Sequence, residues 1–447
     1  MASHTESIRL QLASGPALPR QLIDNIGISQ PTLSRALVAM GSEIVRIGAA
    51  RSIQYALRDG FRGLPDISVH RVDSAGRVAL QGQLVPVRPD GFVLQRAEGA
   101  TVYSAGLPWW LLDMRPQGFL GRAFAFRLAE PLGLPARLSE WSDTQMLRAL
   151  LAQGHDAVGN LLLGDSARER LLDAPLPEPV VQSAKQTAYV RLAEEAASGD
   201  LPGSSAGGEQ PKFAAYVQTP AGPRHVLVKF TLPQTNAVTQ RWRDLLLAEH
   251  HALQTLAAAG VAAAQSQVLD AGSQRFLEVE RFDRVGTTGR RAVFSLSALD
   301  AEFVGNAPAP WPQITARLAA DGHVTNAAAH GAALLFAFGS LIGNTDMHNG
   351  NLSFTSEEGR PFALAPAYDM LPMGFAPQAS GGMPDALAPV RLHPSVGTAV
   401  WQQAAGLASD YLDRLHGETR FSAKFGPCIE NLARHVEDAS GKIARLG

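Results

Sequence analysis

The sequence predicts an α+β protein of three successive blocks: a small helical block closed by a hairpin, a β-rich block, and a large core of two lobes. Three observations carry this. The chain has 447 residues, more than one hydrophobic core usually serves, so two or three domains are expected. Hydrophobic residues are 46% and charged residues 18% of the chain, as in globular proteins with no large disordered part. The texture also changes twice, from helical spacing to Gly-punctuated alternation near residue 61 and back to helical spacing near Ser142.

The first block is placed at residues 1–60. LPRQLIDNIG has helical spacing at Leu18, Leu22 and Ile26. In ISQPTLSRALVAMG, Ser29 is positioned as an N-cap and Pro31 in the first turn. Leu33 and Leu37 mark a buried face there, which leaves Gln30, Thr32, Ser34 and Arg35 to project. IVRIGAARSIQYAL then reads as two strands around a turn carrying Arg51. Two helices, a tight Gly-containing turn and a hairpin are the pattern of a winged helix-turn-helix. The block holds six Arg (9, 20, 35, 46, 51, 58) against four acids (Glu6, Asp24, Glu43, Asp59). Short polar side chains and an Arg stand where a recognition helix meets base edges, and GISQPTLSR resembles that region of many bacterial regulators. DNA contact through Gln30, Thr32, Ser34, Arg35 and Arg51 is therefore expected, with protein binding as the alternative.

The second block, residues 61–141, contains GRVALQGQLVPV, GFVLQRAEG and AFAFRLAE, which read as short strands. The third, residues 142–447, divides into an N-lobe of about 142–284 and a C-lobe of about 285–447.

Charge and composition narrow the partners. A net charge of −2 supplies no global field for nucleic acid, so any DNA contact is local. A single cysteine, Cys428, excludes an intramolecular disulfide framework and a Cys-based metal site, and reads as a small buried hydrophobe. No basic segment followed by an apolar run opens the chain, and the longest apolar stretch, Ala327–Gly343, is interrupted by His330. A cytoplasmic protein without membrane contact is expected. Only five of the 39 basic residues are Lys (185, 212, 229, 424, 442), so the place of each is informative.

Chemistry concentrates in the third block. SSAGGEQPKF, Ser204–Phe213, has the small residues that let backbone N–H groups approach an anion. Its spacing fits neither the Walker loop nor GxGxxG, and a flexible linker reads the same. RHVLVKF is an alternating strand presenting Lys229, costly to bury unless it meets an anion. The helical pattern of Arg243–Gly260 then offers Glu249 as its partner. A strand Lys and a helix Glu that orient ATP phosphates recur in kinases. FLEVERFDR is a strand running into a charged turn whose backbone could hold an adenine edge. GNTDMHNGNLSF places Asp346 and Asn351 five residues apart (351 − 346), the separation of catalytic Asp and metal-binding Asn in kinase catalytic loops. PFALAPAYDM adds Asp369, 18 residues further on (369 − 351). Asn351 and Asp369 both offer hard oxygens suited to Mg²⁺ on ATP phosphates.

Taken in this order, SSAGGEQPK, VKF, VERFDR, NTDMHNGN and AYD resemble the HipA family, bacterial toxin kinases with a protein-kinase-like core, from about Gly63 to the end of the chain. The resemblance implies that Ser205, Gly207, Gly208, Gln210 and Lys212 form the phosphate loop and that Lys229 contacts phosphates with support from Glu249. It implies that the backbone of Glu280, Arg281 and Phe282 holds adenine, with Asp283 near the ribose. Asp346 would be the base, with His348 beside the nucleotide, and Asn351 and Asp369 would bind Mg²⁺. Ser205 would be the self-phosphorylated residue, Ser204 being its neighbour. The substrate would be a protein, for which the family offers translation factors such as an aminoacyl-tRNA synthetase. HipA-type toxins usually rely on a separate DNA-binding antitoxin. A winged helix fused to the same chain resembles the YjjJ/HipH-like branch and leaves open whether a separate antitoxin exists. The alternatives are a small-molecule kinase, a nucleotide-sensing regulator with a kinase fold, and a DNA-cleaving toxin in which Asp346 and His348 hold a metal.

Overall fold

The structure, a computed structural model, describes residues 2–49, 52–198, 210–378 and 380–446. They fall into two compact units, one of Met1–Val72, Arg77–Arg115 and Leu128–Pro175, the other of Asp73–Gly76, Pro116–Arg127 and Leu176–Gly447.

The first unit opens on three helices, α1 (Ala2–Leu12), α2 (Pro19–Ile26) and α3 (Gln30–Met40). Helix α1 has no counterpart in the sequence reading, although Ile8 and Leu12, one turn apart, are both buried. Helix α3 starts as expected: Ser29 accepts from the Thr32 N–H, and Pro31 lies in the first turn. Strands β1 (Ile44–Ile47) and β2 (Gln54–Leu57) pair antiparallel from Ile44↔Leu57 to Ile47↔Gln54. Ile8, Leu12, Leu22, Leu33, Met40 and Leu57 share one core.

Beyond the hairpin run β3 (Ile67–Val72), β4 (Val78–Val87), β5 (Gly91–Arg96) and β6 (Val102–Ser104). The segment AFAFRLAE, expected as a strand, lies largely in helix α4 (Gly118–Leu128), which belongs mainly to the second unit. Leu120, Phe124 and Leu128 recur every four residues and are buried, while Phe126 is exposed. The helical period therefore overrides the local alternation. Helix α5 (Asp143–Gln153), strand β7 (Leu161–Leu163) and helix α6 (Gly164–Asp173) complete the unit. The sheet order is β6-β5-β4-β3-β7. Met146, Leu147 and Leu150 of α5 pack in one core with Ile67, Leu84 and Phe92. The compact unit thus runs on to Pro175, past the boundary expected at residue 141.

The second unit continues with α7 (Lys185–Ser198), the hairpin β8 (Lys212–Thr219) and β9 (Gly222–Phe230), and α8 (Ala237–Ala258). Helix α8 starts on a reciprocal cap between Asn236 and Thr239, worth about 1 kcal/mol. Strands β10 (Ser266–Ala271) and β11 (Gln274–Glu280) close an antiparallel sheet of order β10-β11-β9-β8. A short ladder of β12 (Arg284–Val285) and β13 (Gly289–Arg290) leads to β14 (Ala292–Ser295) and helices α9 (Leu296–Phe303), α10 (Trp311–Ala320) and α11 (Asn326–Leu341). Helix α11 is the apolar run seen in the sequence, with Leu334, Leu335, Phe338 and Leu341 buried. Strands β15 (Ser353–Ser356) and β16 (Ala363–Leu364) join β14 in a three-stranded sheet, and α12 (Thr398–Gly417) and α13 (Gly426–Ile443) complete the chain. Among the described residues, no helix is long and apolar enough to cross a membrane.

Candidate active site

The second unit brings four of the five sequence elements to one place. Lys229 stands near the end of β9, where its neighbour Phe230 packs into the opposite face of the sheet. Its Nζ donates to both carboxylate oxygens of Glu249 on α8, at 2.6 and 2.7 Å, and also to Asp369 Oδ1. Burial pushes the Lys229 ammonium toward neutrality, but the Asp369 and Glu249 charges reverse this and raise its pKa. For Asp369 burial opposes ionisation, yet Lys229 and Lys212 win and hold its carboxyl below the ordinary range. Burial dominates at Glu249 and raises it. The Lys229 ammonium thus faces two carboxylates with the Lys212 charge beside them, and Asp369 is the partly exposed member.

Asp369 sits at φ 52°, the only non-glycine with positive φ among the described residues. Such a conformation costs about 1–3 kcal/mol and persists only where the surroundings impose it. Here they do so through Asn344, a residue the sequence reading did not single out. Its Nδ2 donates to Asp369 O at 3.2 Å, and its Oδ1 accepts from the Asp346 N–H at 3.0 Å. One buried amide therefore ties the two key aspartates together. The Asn density of GNTDMHNGN was its only sequence signal.

Asp346 is exposed at the mouth of the site. Asn351 Nδ2 donates to the Asp346 backbone O at 2.7 Å, which leaves its Oδ1 as the available acceptor. His348 Nδ1 accepts from the Gly350 N–H at 3.0 Å, while its Nε2 is 4.0 Å from Asp346 Oδ1. Tyr368, also missed, holds this turn from below: its OH reaches Gly350 O at 2.9 Å and Ser353 Oγ at 2.7 Å.

A cavity of about 350 Å³ opens over these groups. Lys212, Lys229, Asp346 and Asp369 line one part, with Gln210, and Leu232, Val238, Trp242, Leu371 and Met373 form an apolar wall. Lys212 and Lys229 are register partners on β8 and β9, which sets two cations side by side. Among the described residues no cluster of three or more His, Cys, Asp or Glu could hold a metal. Asn351 does not itself line the cavity; its amide stands beside Asp346.

The expected adenine segment is placed differently. Glu280, Arg281, Phe282 and Asp283 do not line this cavity. The Glu280 N–H donates to Gln265 O at 2.8 Å and the Arg281 N–H to His225 O at 2.9 Å. Asp283, expected beside a ribose, is buried, and its carboxylate accepts from Arg281 at 2.9–3.0 Å and Arg284 at 2.6 Å. Its two arginine neighbours in the sequence claim it. In the first unit, Gln30, Ser34 and Arg35 of α3 are exposed, whereas the Thr32 hydroxyl is 3.0 Å from Ser29 Oγ in the helix cap. Ser204, Ser205, Gly207, Gly208 and Arg51 lie outside the described residues.

A family model described as the HipA-like C-terminal domain matches residues 204–437, and one described as the YjjJ-like toxin middle domain matches residues 64–172. The chain belongs to the family of HipA-like toxins. Within it, the chain is 41% identical over 438 residues, 98% of each chain, to the Escherichia coli (strain K12) protein named Toxin YjjJ. In fold it is similar to a solved Shewanella oneidensis HipA, described in complex with HipB and operator DNA. That match covers 85% of this chain and 97% of the other, at 16% identity and a TM-score of 0.52. A Helicobacter pylori kinase, CtkA, matches 54% of this chain and 93% of the other at 11% identity, with a TM-score of only 0.36.

Proposed function

We propose that this chain is an ATP- and Mg²⁺-dependent serine/threonine protein kinase of toxin type. The observation that carries the reading is the Lys229 ammonium shared between Glu249 and Asp369, at a cavity that Asp346 also lines. The fit to a nucleotide–metal complex is one of charge. Lys212 and Lys229 match phosphate oxygens, and the partly exposed Asp369 carboxylate matches a divalent cation. Asp369 and the Asn351 Oδ1 would hold Mg²⁺, which when bound neutralises charge on the transferred phosphoryl group.

Glu249 keeps the Lys229 ammonium aimed into the cavity. Asp346 would accept the proton of the incoming Ser or Thr hydroxyl as its oxygen bonds to the γ-phosphorus. The bond from that phosphorus to the β-phosphate oxygen breaks as ADP leaves. The apolar wall would exclude water, so that a side-chain hydroxyl competes with hydrolysis. His348, whose Nδ1 is committed to the loop, would approach the nucleotide only through Nε2. Glu280, Arg281 and Phe282 remain the proposed adenine segment, through backbone atoms other than the two N–H groups already bonded.

Two further assignments belong to the reading. Phosphorylation of Ser205 would bring negative charge into the loop that receives the phosphates and switch the kinase off. The first sixty residues would bind DNA through Gln30, Thr32, Ser34 and Arg35 of α3 and through Arg51, which suits a toxin that regulates its own expression with or without a separate antitoxin. The deciding experiment is incubation of the full chain with labelled ATP and Mg²⁺, followed by mass spectrometry. Label on Ser205, or on a protein substrate such as an aminoacyl-tRNA synthetase, supports the reading. A chain that binds Mg·ATP but transfers no label would instead be a nucleotide-sensing regulator.

A further inference from the structure

We infer that Arg241, Asp244 and His251 are positioning residues: they latch α8 to the segment Tyr411–Phe425, and through this latch fix where Glu249 meets Lys229. The inference rests on the kinase reading only for its consequence, not for the latch itself. Residues 241, 244, 248 and 251 recur at three- and four-residue spacing, so they form one stripe of α8, and each makes a bond outside the helix. Arg241 Nη1 donates to Phe375 O at 2.9 Å and to Pro384 O at 2.6 Å, and its guanidinium lies 5.6 Å from the Phe425 ring centroid. Asp244 Oδ1 accepts from the Ser422 N–H at 2.9 Å, and its Oδ2 from Ser422 Oγ at 2.6 Å. Ala248 O accepts from Tyr411 OH at 3.2 Å. His251 Nε2 is 3.0 Å from Glu418 Oε2, a carboxylate also gripped by Arg420.

Apolar packing alone holds a helix against its neighbours but tolerates sliding and rotation. Directional bonds at four points of one stripe fix both. Glu249 is the next residue after Ala248, so a rotation of α8 that broke the stripe would swing its carboxylate off Lys229. The Arg241 contacts add a second constraint, because Phe375 and Pro384 lie on the stretch that follows Asp369. Both carboxylates that face Lys229 are thus referred to the same C-terminal frame.

The test uses the full chain and two readouts: hydrogen exchange across α8, and calorimetric affinity for Mg·ATP. Ser422→Ala removes one donor at a half-buried position, and Asp244→Asn is a second variant that preserves shape. The expected result is faster exchange in Arg241–His251, on the order of tenfold, with β9 and β11 unchanged. Mg·ATP affinity should fall by several-fold in parallel, and Ser422→Thr should restore both. Unchanged α8 exchange in both variants overturns the latch, as does an equal rise across the whole unit. A wild type that binds no Mg·ATP defeats the kinase reading instead, and the exchange result then still decides the latch.

Discussion

One sheet carries two buried Lys–Glu pairs, one on each face, and they differ in a way that separates scaffold from site. Leu277 and Lys229 are directly opposed on β11 and β9, so Glu278, one residue along, points to the other face. There it accepts from Lys185 Nζ at 2.7 Å and Tyr189 OH at 2.5 Å. Lys185 is fully buried and Glu278 nearly so. Burial and the Glu278 charge hold the Tyr189 phenol well above its ordinary range, so it remains a donor. One cation, one anion and one hydroxyl close upon themselves. On the opposite face Lys229 meets two carboxylates with Lys212 beside it, and Asp369 is both partly exposed and conformationally strained. A buried ion pair by itself is therefore no mark of function. A charge cluster that opens on a cavity through a partly exposed member is.

The comparison breaks or sharpens in four places. The largest effect is expected at the open cluster: Asp346→Asn and Asp369→Asn should each cut phosphoryl transfer by at least about 10²–10⁴-fold while thermal melts keep their cooperativity. Wild-type transfer in either variant would remove that aspartate from the mechanism. Next comes the closed cluster. Lys185→Met leaves Glu278 buried without its cation, at a cost of about 3–5 kcal/mol, read as a lower denaturant midpoint. Adding Glu278→Leu should recover most of it, and a neutral Lys185→Met would erase the distinction between the faces.

Third, Mg²⁺ with a non-hydrolysable ATP analogue at about a hundred times its Kd should stabilise the wild type by about 2.7 kcal/mol. Asp369→Asn should lose the Mg²⁺-dependent part of that gain, and a full gain there would move the cation elsewhere. The smallest effect concerns α8 just beyond Glu249. Burial, with the neighbouring His251, lowers the His250 pKa to about 4, below the ordinary value of about 6.5. The unfolded chain therefore binds the proton first, and stability declines as pH falls from about 6.5 toward 4: the full shift would be worth about 3 kcal/mol, and solvent reaching the partly buried ring reduces this to on the order of 1 kcal/mol. His250→Gln should flatten the melting temperature across that window, and an unchanged slope would assign the acid sensitivity to other groups.

Much of this was legible along the chain, and the reason is local. Ser29 and Pro31 start α3 through contacts within one turn. The apolar run before Gly343 forms a buried helix because no polar face interrupts it. Lys229, Glu249, Asp346, Asn351 and Asp369 were proposed from their order and spacing, and the fold brings Lys229, Asp346 and Asp369 to one cavity with Glu249 bonded to Lys229. Where two periods competed, as in AFAFRLAE, the sequence misled: Leu120, Phe124 and Leu128 needed a core to pack against before the helix could win. The burial of Asp283 was not legible either, since nothing in VERFDR says that Arg281 and Arg284 will fold back on it.

The sequence by itself thus determined the elements and the chemical identities at the site, because capping, periodicity and loop spacing act within a few residues. Only the tertiary structure decided how the charges are shared. Lys229 and Asp369 are 140 residues apart, and Asp244 and Ser422 are 178 apart. No local rule pairs residues at such distances. Burial does, because each charge taken out of water must find its partner among whatever the fold brings beside it.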